Sequence, residues 1–442
     1  MDAKNALVDR FGEVRADFIP ASDYFSREFA DLEAERLWPR VWQMACREED
    51  IPVVGDYCTY DIVDQSIIVL RSAPGQIKAY HNACPHRGRQ LTAGCGHMER
   101  LHCPFHGWQF DLHGAPVHIV DLEDWQGRLD RAEISLSPVK VAVWSGWVYI
   151  NMDPAAQDFA TFLGETKAIL DPLDMGGLRY HWVKSALVPS NWKTVLGLFN
   201  EAYHLQQTHR QVLPFQDDRC ESHAHGLHGM FESWDALPPG FPSPRLGLPA
   251  PDDIRPGFHT FVTAYIETLQ CAHPMMMGRA VERMLAEVPA GTPPGEVVAK
   301  VMEFTMEDAA ARGVRIPSMT FEQMHAVGSD WHLFPNQVIL PSPLSCLAYR
   351  ARPNGRDPDS AIFDVYSLLR YPPGEEPEVE PQRCDDLSDT AFWPLILIQD
   401  FENLAALQRG QKSRGFRGAR ANPRQESALT NFHQALRHFM SS

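Results

Sequence analysis

Apolar side chains near the start of the chain recur at helical spacing: Phe25, Phe29, Leu32, Leu37 and Val41 share one face of a 3.6-residue repeat. They predict a helix over residues 25–45, which Pro39 should kink or end because proline lacks an amide hydrogen. From about residue 52 to 153 the pattern changes to short runs broken by Gly, Pro and Asn, at 57–63, 66–71, 76–82, 139–144 and 146–152. These predict a small antiparallel β domain, with 151–154 as its exit. The remainder mixes both periods. Residues 191–211 and 393–412 read as helices, and 338–344, 346–351 and 361–371 as strands. Between them, 238–257 is dense in Pro and Gly and reads as loop, ahead of helical stretches near 260–271, 277–287 and 295–312.

At roughly 100–200 residues per domain, a chain of 442 residues suits two or three domains. The pattern divides it into an N-terminal helical segment (1–45) expected to pack on the larger domain, a β domain (46–155) and that larger α+β domain (156–442), which carries a loop and helical insertion at 237–315. A net charge of −17 argues against a nucleic-acid binder, because polyphosphate is repelled. The first twenty residues lack the apolar run of a signal peptide. The longest apolar stretch, 392–398, is about a third of the ~20 residues a spanning helix needs. A cytoplasmic protein without membrane contact is the expectation. Nine cysteines, an odd number thinly spread, suit reduced thiols better than a disulfide framework.

Two pairs of residues carry chemistry. Cys84-Pro85-His86 is followed, after sixteen intervening residues, by Cys103-Pro104-Phe105-His106, each pair between predicted strands. Thiolate and imidazole are ligands that iron and zinc favour, so the four residues suggest one metal centre. A structural zinc finger usually pairs Cys with Cys and His with His, whereas here each pair mixes the two. Two Cys plus two His is the ligand set of a Rieske [2Fe–2S] cluster.

The surrounding sequence, HNACPHRGRQL and then CPFHGWQFDLHG, resembles the Rieske domain of ring-hydroxylating oxygenases, densely across 80–115 and recognisably from about 25 to 153. Respiratory Rieske proteins carry an extra Cys after each ligand pair. This chain has Arg87-Gly88 and Gly107-Trp108 there, which favours the oxygenase branch. Cys95 has no evident partner and is expected to be a small buried thiol. Phe105 offers no hydroxyl to a cluster sulfur, so the potential should lie low in the Rieske range of roughly −150 to +300 mV.

An oxygenase needs a second iron with open positions, held by two His and one carboxylate. His204 and His209 are five apart, so a regular helix would splay them, and a bulge or helix end must bring both to one metal. Alone, such a pair is weak evidence. The frame Asn191-Trp192-Lys193 … Glu201-x₂-His204-x₄-His209 resembles the iron-binding segment of Rieske oxygenases. By the same resemblance Gln399-Asp400 … Gln408-Arg409-Gly410 supplies the third ligand, Asp400, with Glu402 as runner-up. Glu201 stands where many relatives have Asp, and the resemblance implies that it links the mononuclear site to a cluster histidine of the next subunit. Leu196-Gly197 replaces a common Glu-Asn pair, so roles of that pair do not carry over.

The resemblance implies a catalytic domain of the helix-grip (START-like) type. It implies an oxygenase that takes electrons originating in NAD(P)H from a reductase, directly or through a ferredoxin. The cluster would pass them to a mononuclear Fe(II), and O₂ would hydroxylate an aromatic or other hydrophobic substrate. A homotrimer is expected, with or without a β subunit. Leu198, Leu205, Gln206 and Gln207 are candidates to line the pocket, and the 237–315 insertion is a candidate to cover its mouth. Two alternatives stand beside this reading. One is monooxygenation of a quaternary ammonium compound, as in choline- and carnitine-type enzymes. The other is a Rieske electron carrier with no chemistry of its own, against which nearly three hundred residues beyond the cluster domain argue.

Overall fold

In the strand Asp56–Ile62 every second side chain turns inward: Cys58, Tyr60 and Ile62 are buried while Asp61 is exposed. Its neighbour, Gln65–Ala73, buries Ile67, Ile68, Val69 and Leu70 consecutively, as a central strand covered on both faces does. These strands belong to the first of two compact units, residues 31–162. The second unit comprises 1–30 and 163–442. The structure, a computed structural model, describes residues 3–235, 237–270 and 274–441. Cys271, the end of the helix expected near 260–271, lies outside the described residues.

The first unit is built from β1 (Gln43–Arg47), β2 (Asp56–Ile62), β3 (Gln65–Ala73), β4 (Gln76–His81), β5 (Cys95–His97), β6 (Leu101–His102), β7 (Gln109–Phe110), β8 (Pro116–His118), β9 (Pro138–Trp144) and β10 (Trp147–Asn151). A seven-stranded antiparallel sheet runs β1-β10-β9-β4-β3-β2-β5, and β6-β7-β8 form a small second sheet. Two expectations need correction here. The helix predicted over 25–45 runs only through Arg27–Leu32 and a π-helical turn, Glu33–Leu37, before Pro39. Gln43–Arg47 is instead the fully buried strand β1, claimed by pairing with β10. Cys95 is neither buried nor alone. It is exposed and joined in a disulfide to Cys58, which faces it across the β2–β5 ladder at a Cα separation of 4.0 Å. Strand register brings together residues 37 apart in sequence, which spacing could not reveal.

The second unit contains β11 (Arg179–Val188), β12 (Cys220–His225), β13 (His228–Ser233), β14 (Asp330–Leu333), β15 (Gln337–Pro341), β16 (Ser345–Asn354), β17 (Asp357–Leu369) and β18 (Gln382–Arg383). They form one sheet in the order β12-β13-β14-β15-β16-β17-β11-β18, antiparallel except for the short β11–β18 pairing. The helices of this unit include α1 (Trp192–Leu198), α2 (Leu205–Thr208), α3 (Arg255–Leu269), α4 (Met275–Glu287), α5 (Pro294–Ala311), α6 (Leu395–Gln411) and α7 (Ser427–Ser441). The arrangement is the α+β, helix-grip class expected from the sequence. The 191–211 segment, expected as one helix, is broken after Leu198 into α1 and the single turn of α2. Among the described residues no helix is long and apolar enough to cross a membrane.

Aromatic packing joins sheet to helices. Phe363 of β17 is fully buried, stacks on Phe199 at 5.2 Å and Tyr349 at 5.7 Å, and meets the edge of Phe401 from α6 at 6.0 Å. At the other end α7 crosses β13 so closely that a Cβ on Gly229 would lie 2.6 Å from Cβ of Ala428. The α3–α5 helices have a core of their own, including Phe258, Val262, Val281, Met284, Val297 and Val301. Phe363→Ala should destabilise the second unit by about 3–5 kcal/mol, the usual result of emptying a buried aromatic site. Denaturant unfolding followed by tryptophan fluorescence would check this, and a loss under about 1 kcal/mol would mean that neighbouring rings close the gap.

Candidate metal centres

In the first unit the two Cys–His pairs sit at the tips of matched loops. Each loop closes on itself. The Cys84 amide donates to the Arg89 carbonyl at 2.9 Å and the Gly88 amide to the Cys84 carbonyl at 2.8 Å. The Cys103 amide donates to Trp108 at 2.8 Å and Gly107 to Cys103 at 3.0 Å. Gly88 and Gly107 have φ of +76° and +77°, a region open to glycine at little cost. The glycine after each pair is therefore a requirement of the turn.

The loops bring all four side chains together. Cys84 and Cys103 are buried, and the His86 and His106 rings lie 4.5 Å apart. Trp108 stacks on His86 at 4.8 Å, with Trp125 edge-on at 5.7 Å. His86 Nδ1 is buried without a hydrogen-bond partner among the described residues. Burial, then the nearby Cys103 thiol, pushes the Cys84 thiol up to about 11, while burial lowers the pKa of His86. Two buried cysteines and two imidazoles brought together, one ring with an idle nitrogen, fit a metal cluster, whose cations would take up thiolate and imidazole ligands there. The residues present fit a [2Fe–2S] group.

In the second unit, breaking the 191–211 helix solves the spacing problem. His204 precedes α2 and His209 ends it, so the turn carries both rings toward α6. The ligating atoms of His204, His209 and Asp400 all lie within 4.8 Å of one another. His209 Nε2 is 3.0 Å and His204 Nε2 3.5 Å from Asp400 Oδ1. Each ring is held by its far nitrogen: His204 Nδ1 lies 2.7 Å from Glu201 Oε1, and His209 Nδ1 2.8 Å from Gln399 Oε1. Glu201 also accepts the His204 amide at 3.1 Å. Glu402, the runner-up, is exposed, because two residues along a helix turn it about 200° from Asp400.

The field at this site suits a cation. Burial opposes protonation of His204, but Glu201 chiefly, with Asp400 and Glu426 behind it, holds the imidazole pKa up at about 9. Glu426 is pushed up to about 7 by burial and by the Glu201 carboxylate. Two Nε2 atoms and a carboxylate converge where negative charge is in excess, with both Nδ1 atoms facing acceptors. That donor set fits a mononuclear iron with open positions.

A cavity of about 180 Å³ opens onto these residues. Its walls include the predicted Leu198 and Leu205, and α3 contributes Tyr265 and Leu269 from the insertion. Gln206 and Gln207 are not among the lining residues. The single turn of α2 points them away, Gln206 toward the Tyr203 carbonyl at 3.5 Å and Gln207 outward to Arg210. Sequence reasoning did not single out Gln399, Tyr265 or Asp330. Gln399 adjoins Asp400, yet nothing local ties it to His209, 190 residues away.

Residues 173–442, more than half of the chain, match the family described as ring hydroxylating alpha subunit (catalytic domain). The chain belongs to this ring-hydroxylating alpha-subunit family. Residues 41–127 match the Rieske [2Fe-2S] domain. Family relatives include the carnitine monooxygenase oxygenase subunit of Escherichia coli (strain K12), 30% identical over 231 residues, which are 51% of this chain and 59% of that protein. Another is the anthranilate 1,2-dioxygenase large subunit of Acinetobacter baylyi, 29% identical over 270 residues, 56% of this chain and 57% of that one. The chain thus spans under two thirds of the length of these relatives. Two solved structures share the fold at low identity. Naphthalene 1,2-dioxygenase with indole in its active site superposes with a TM-score of 0.66 at 17% identity, covering 100% of this chain and 95% of the other. A quaternary ammonium Rieske monooxygenase, described in terms of carnitine oxidation and inter-subunit electron transfer, gives 0.65 at 17% identity and coverage of 96% and 95%.

If Gln399 orients His209, Gln399→Leu should weaken ferrous-iron affinity by about 10–100-fold. Asp400→Ala should abolish binding at this site, and Glu402→Ala should leave it unchanged. Anaerobic iron titration with the cluster absorbance as a control would check all three. Unaltered affinity in Gln399→Leu removes that residue from the site.

Proposed function

We propose that this chain is the terminal oxygenase of a multicomponent system. It takes electrons originating in NAD(P)H from a reductase, directly or through a ferredoxin, and uses O₂ to hydroxylate an aromatic or other hydrophobic substrate. The observation that carries this reading is the convergence of His204, His209 and Asp400 beneath a largely apolar cavity, in a chain that also assembles Cys84, His86, Cys103 and His106. When bound, the cluster supplies single electrons and the mononuclear iron supplies O₂ activation.

The chain's own residues do the rest. Glu201 and Gln399 accept from the Nδ1 atoms of His204 and His209, which leaves both Nε2 lone pairs for the metal. Leu198, Leu205, Leu340 and Ile396 keep the cavity apolar and exclude water from it. The second reading, oxidation of a quaternary ammonium compound, draws support from the carnitine-oxidising relatives. A substrate screen with reductase present, reading O₂ uptake against product mass, decides between them.

Purified anaerobically, the protein should contain two cluster irons, two acid-labile sulfides and one mononuclear iron per chain, with a Rieske EPR signal. His204→Ala should lose the third iron and all turnover while keeping that signal. Zinc in place of iron would overturn the reading.

The oxygenase is further proposed to work as a homotrimer in which Glu201 links its iron site to a cluster histidine, His106, of the neighbouring subunit. Inter-subunit electron transfer in the quaternary ammonium monooxygenase supports this arrangement. Mixed trimers of Cys84→Ser and His204→Ala chains should then recover part of the activity that each homotrimer lacks. Glu201→Gln should slow cluster oxidation in a single turnover of the prereduced enzyme. Mixed trimers of verified composition that stay inactive, each variant being folded and otherwise fully metallated, would place transfer within one chain.

A further inference from the structure

Among the polar side chains of the cavity wall that hold no metal, one is a buried carboxyl. Asp330 lies on β14, 4% exposed, and its Oδ1 has no hydrogen-bond partner among the described residues. It pairs with Phe231 on β13, and one step beyond the Trp331–Ile339 pair it stands opposite Leu340 on β15. Phe231, Asp330 and Leu340 therefore form a row across one face of the sheet, and all three line the cavity that His204, His209 and Asp400 also line. A carboxyl set between a phenyl and an isobutyl group is costly to bury. Burial alone raises its pKa well above the carboxylate range, and no charged side chain offsets this. Such a group persists when a partner compensates it, and Asp330 lines the cavity, from which a ligand would supply that partner.

Resting on the oxygenase reading above, we propose that Asp330 is a substrate-recognition residue, and that the substrate is a compact organic cation bearing an N–H, namely a protonated amine on an apolar body. The ammonium donates to Asp330 in a charge-assisted hydrogen bond while the apolar body faces the leucines and Ile396. The rings of Phe199, Phe231, Tyr265 and Tyr349 also line the cavity and add apolar surface for the body of the substrate. A cavity of about 180 Å³ falls below the roughly 300–1,000 Å³ of drug-sized sites, which sets the scale of the molecule. A fully methylated ammonium carries the charge but has no hydrogen for the Asp330 carboxylate. The assignment therefore separates an amine from a quaternary ammonium compound.

Calorimetric titration of the ferrous holoenzyme without O₂ tests this with four probes that share one phenyl ring: benzylamine, toluene, benzyltrimethylammonium and benzoate. Benzylamine should bind about tenfold or more tighter than toluene, the difference expected of a hydrogen bond to a charged group. It should likewise exceed benzyltrimethylammonium. Asp330→Asn should erase that preference with toluene binding unchanged, and Asp330→Leu should tighten toluene. Cluster absorbance and iron content report folding in each variant, and the wild-type ranking alone already discriminates. Equal binding of toluene or benzyltrimethylammonium, no binding of benzylamine, or a preference that survives Asp330→Asn would overturn the assignment. Tightest binding of benzoate would overturn it too, by making Asp330 a neutral donor to an anion. None of these results touches the oxygenase reading, which fails separately, through missing iron or absent O₂ consumption.

Discussion

The mononuclear site depends on the register of α6 against the segment that starts α1, and Gln408 sets it. Its side-chain oxygen accepts the Asn191 amide at 2.8 Å and the Ser190 hydroxyl at 3.2 Å, and its nitrogen donates to Asp359 at 2.8 Å. Asn191 in turn caps α1 by accepting the Lys193 amide at 3.1 Å. Asp400 lies eight residues before Gln408 on the same helix, about 12 Å along the axis. A one-residue slip of α6 would rotate Asp400 by about 100° and lose the ligand. One buried amide thus ties two segments over two hundred residues apart into a single metal site. Its hydrogen bonds are expensive to leave unmade in that interior.

The two centres place their ligands by different means. Around the cluster, geometry is local: Cys and His are two or three residues apart, a following glycine closes the turn, and loop amides set the direction of the side chains. Around the mononuclear site, geometry is shared between α2 and α6. Glu201 and Gln399 lock the histidine rings, and aromatic packing of Phe363 on Phe199 and Phe401 holds the elements in place. The first arrangement tolerates change elsewhere in the chain. The second makes core packing part of the chemistry.

The cavity follows from the same packing. β13, β14 and β15 present an apolar row broken by one carboxyl, and α3 closes over it with Tyr265 and Leu269. The interior that strengthens every polar contact to a ligand also makes an unpaired Asp330 costly. Recognition and protein stability are therefore in tension at this residue, as they commonly are where a binding site is built into a core.

The sequence by itself determined what depends on neighbours in the chain. The antiparallel β domain showed in short runs broken by Gly, Pro and Asn, because such residues punctuate strands with turns. Cys84, His86, Cys103 and His106 were legible because ligands on one tight loop sit at short, recognisable spacing. His204 and His209 were legible as a pair, and so was the need for a bulge or a helix end to bring both to one metal. Asp400 was readable only through its resemblance to a known frame. The tertiary structure alone decided what depends on residues far apart meeting in space. It turned Gln43–Arg47 from helix to strand by pairing it with β10. It joined Cys58 to Cys95 through strand register, aimed Gln206 and Gln207 away from the cavity, and brought Gln399 to His209 and Asp330 into the wall. Periodicity reports which side of an element faces inward. Which partner waits there is settled by packing between distant segments, whose order in space no local pattern encodes.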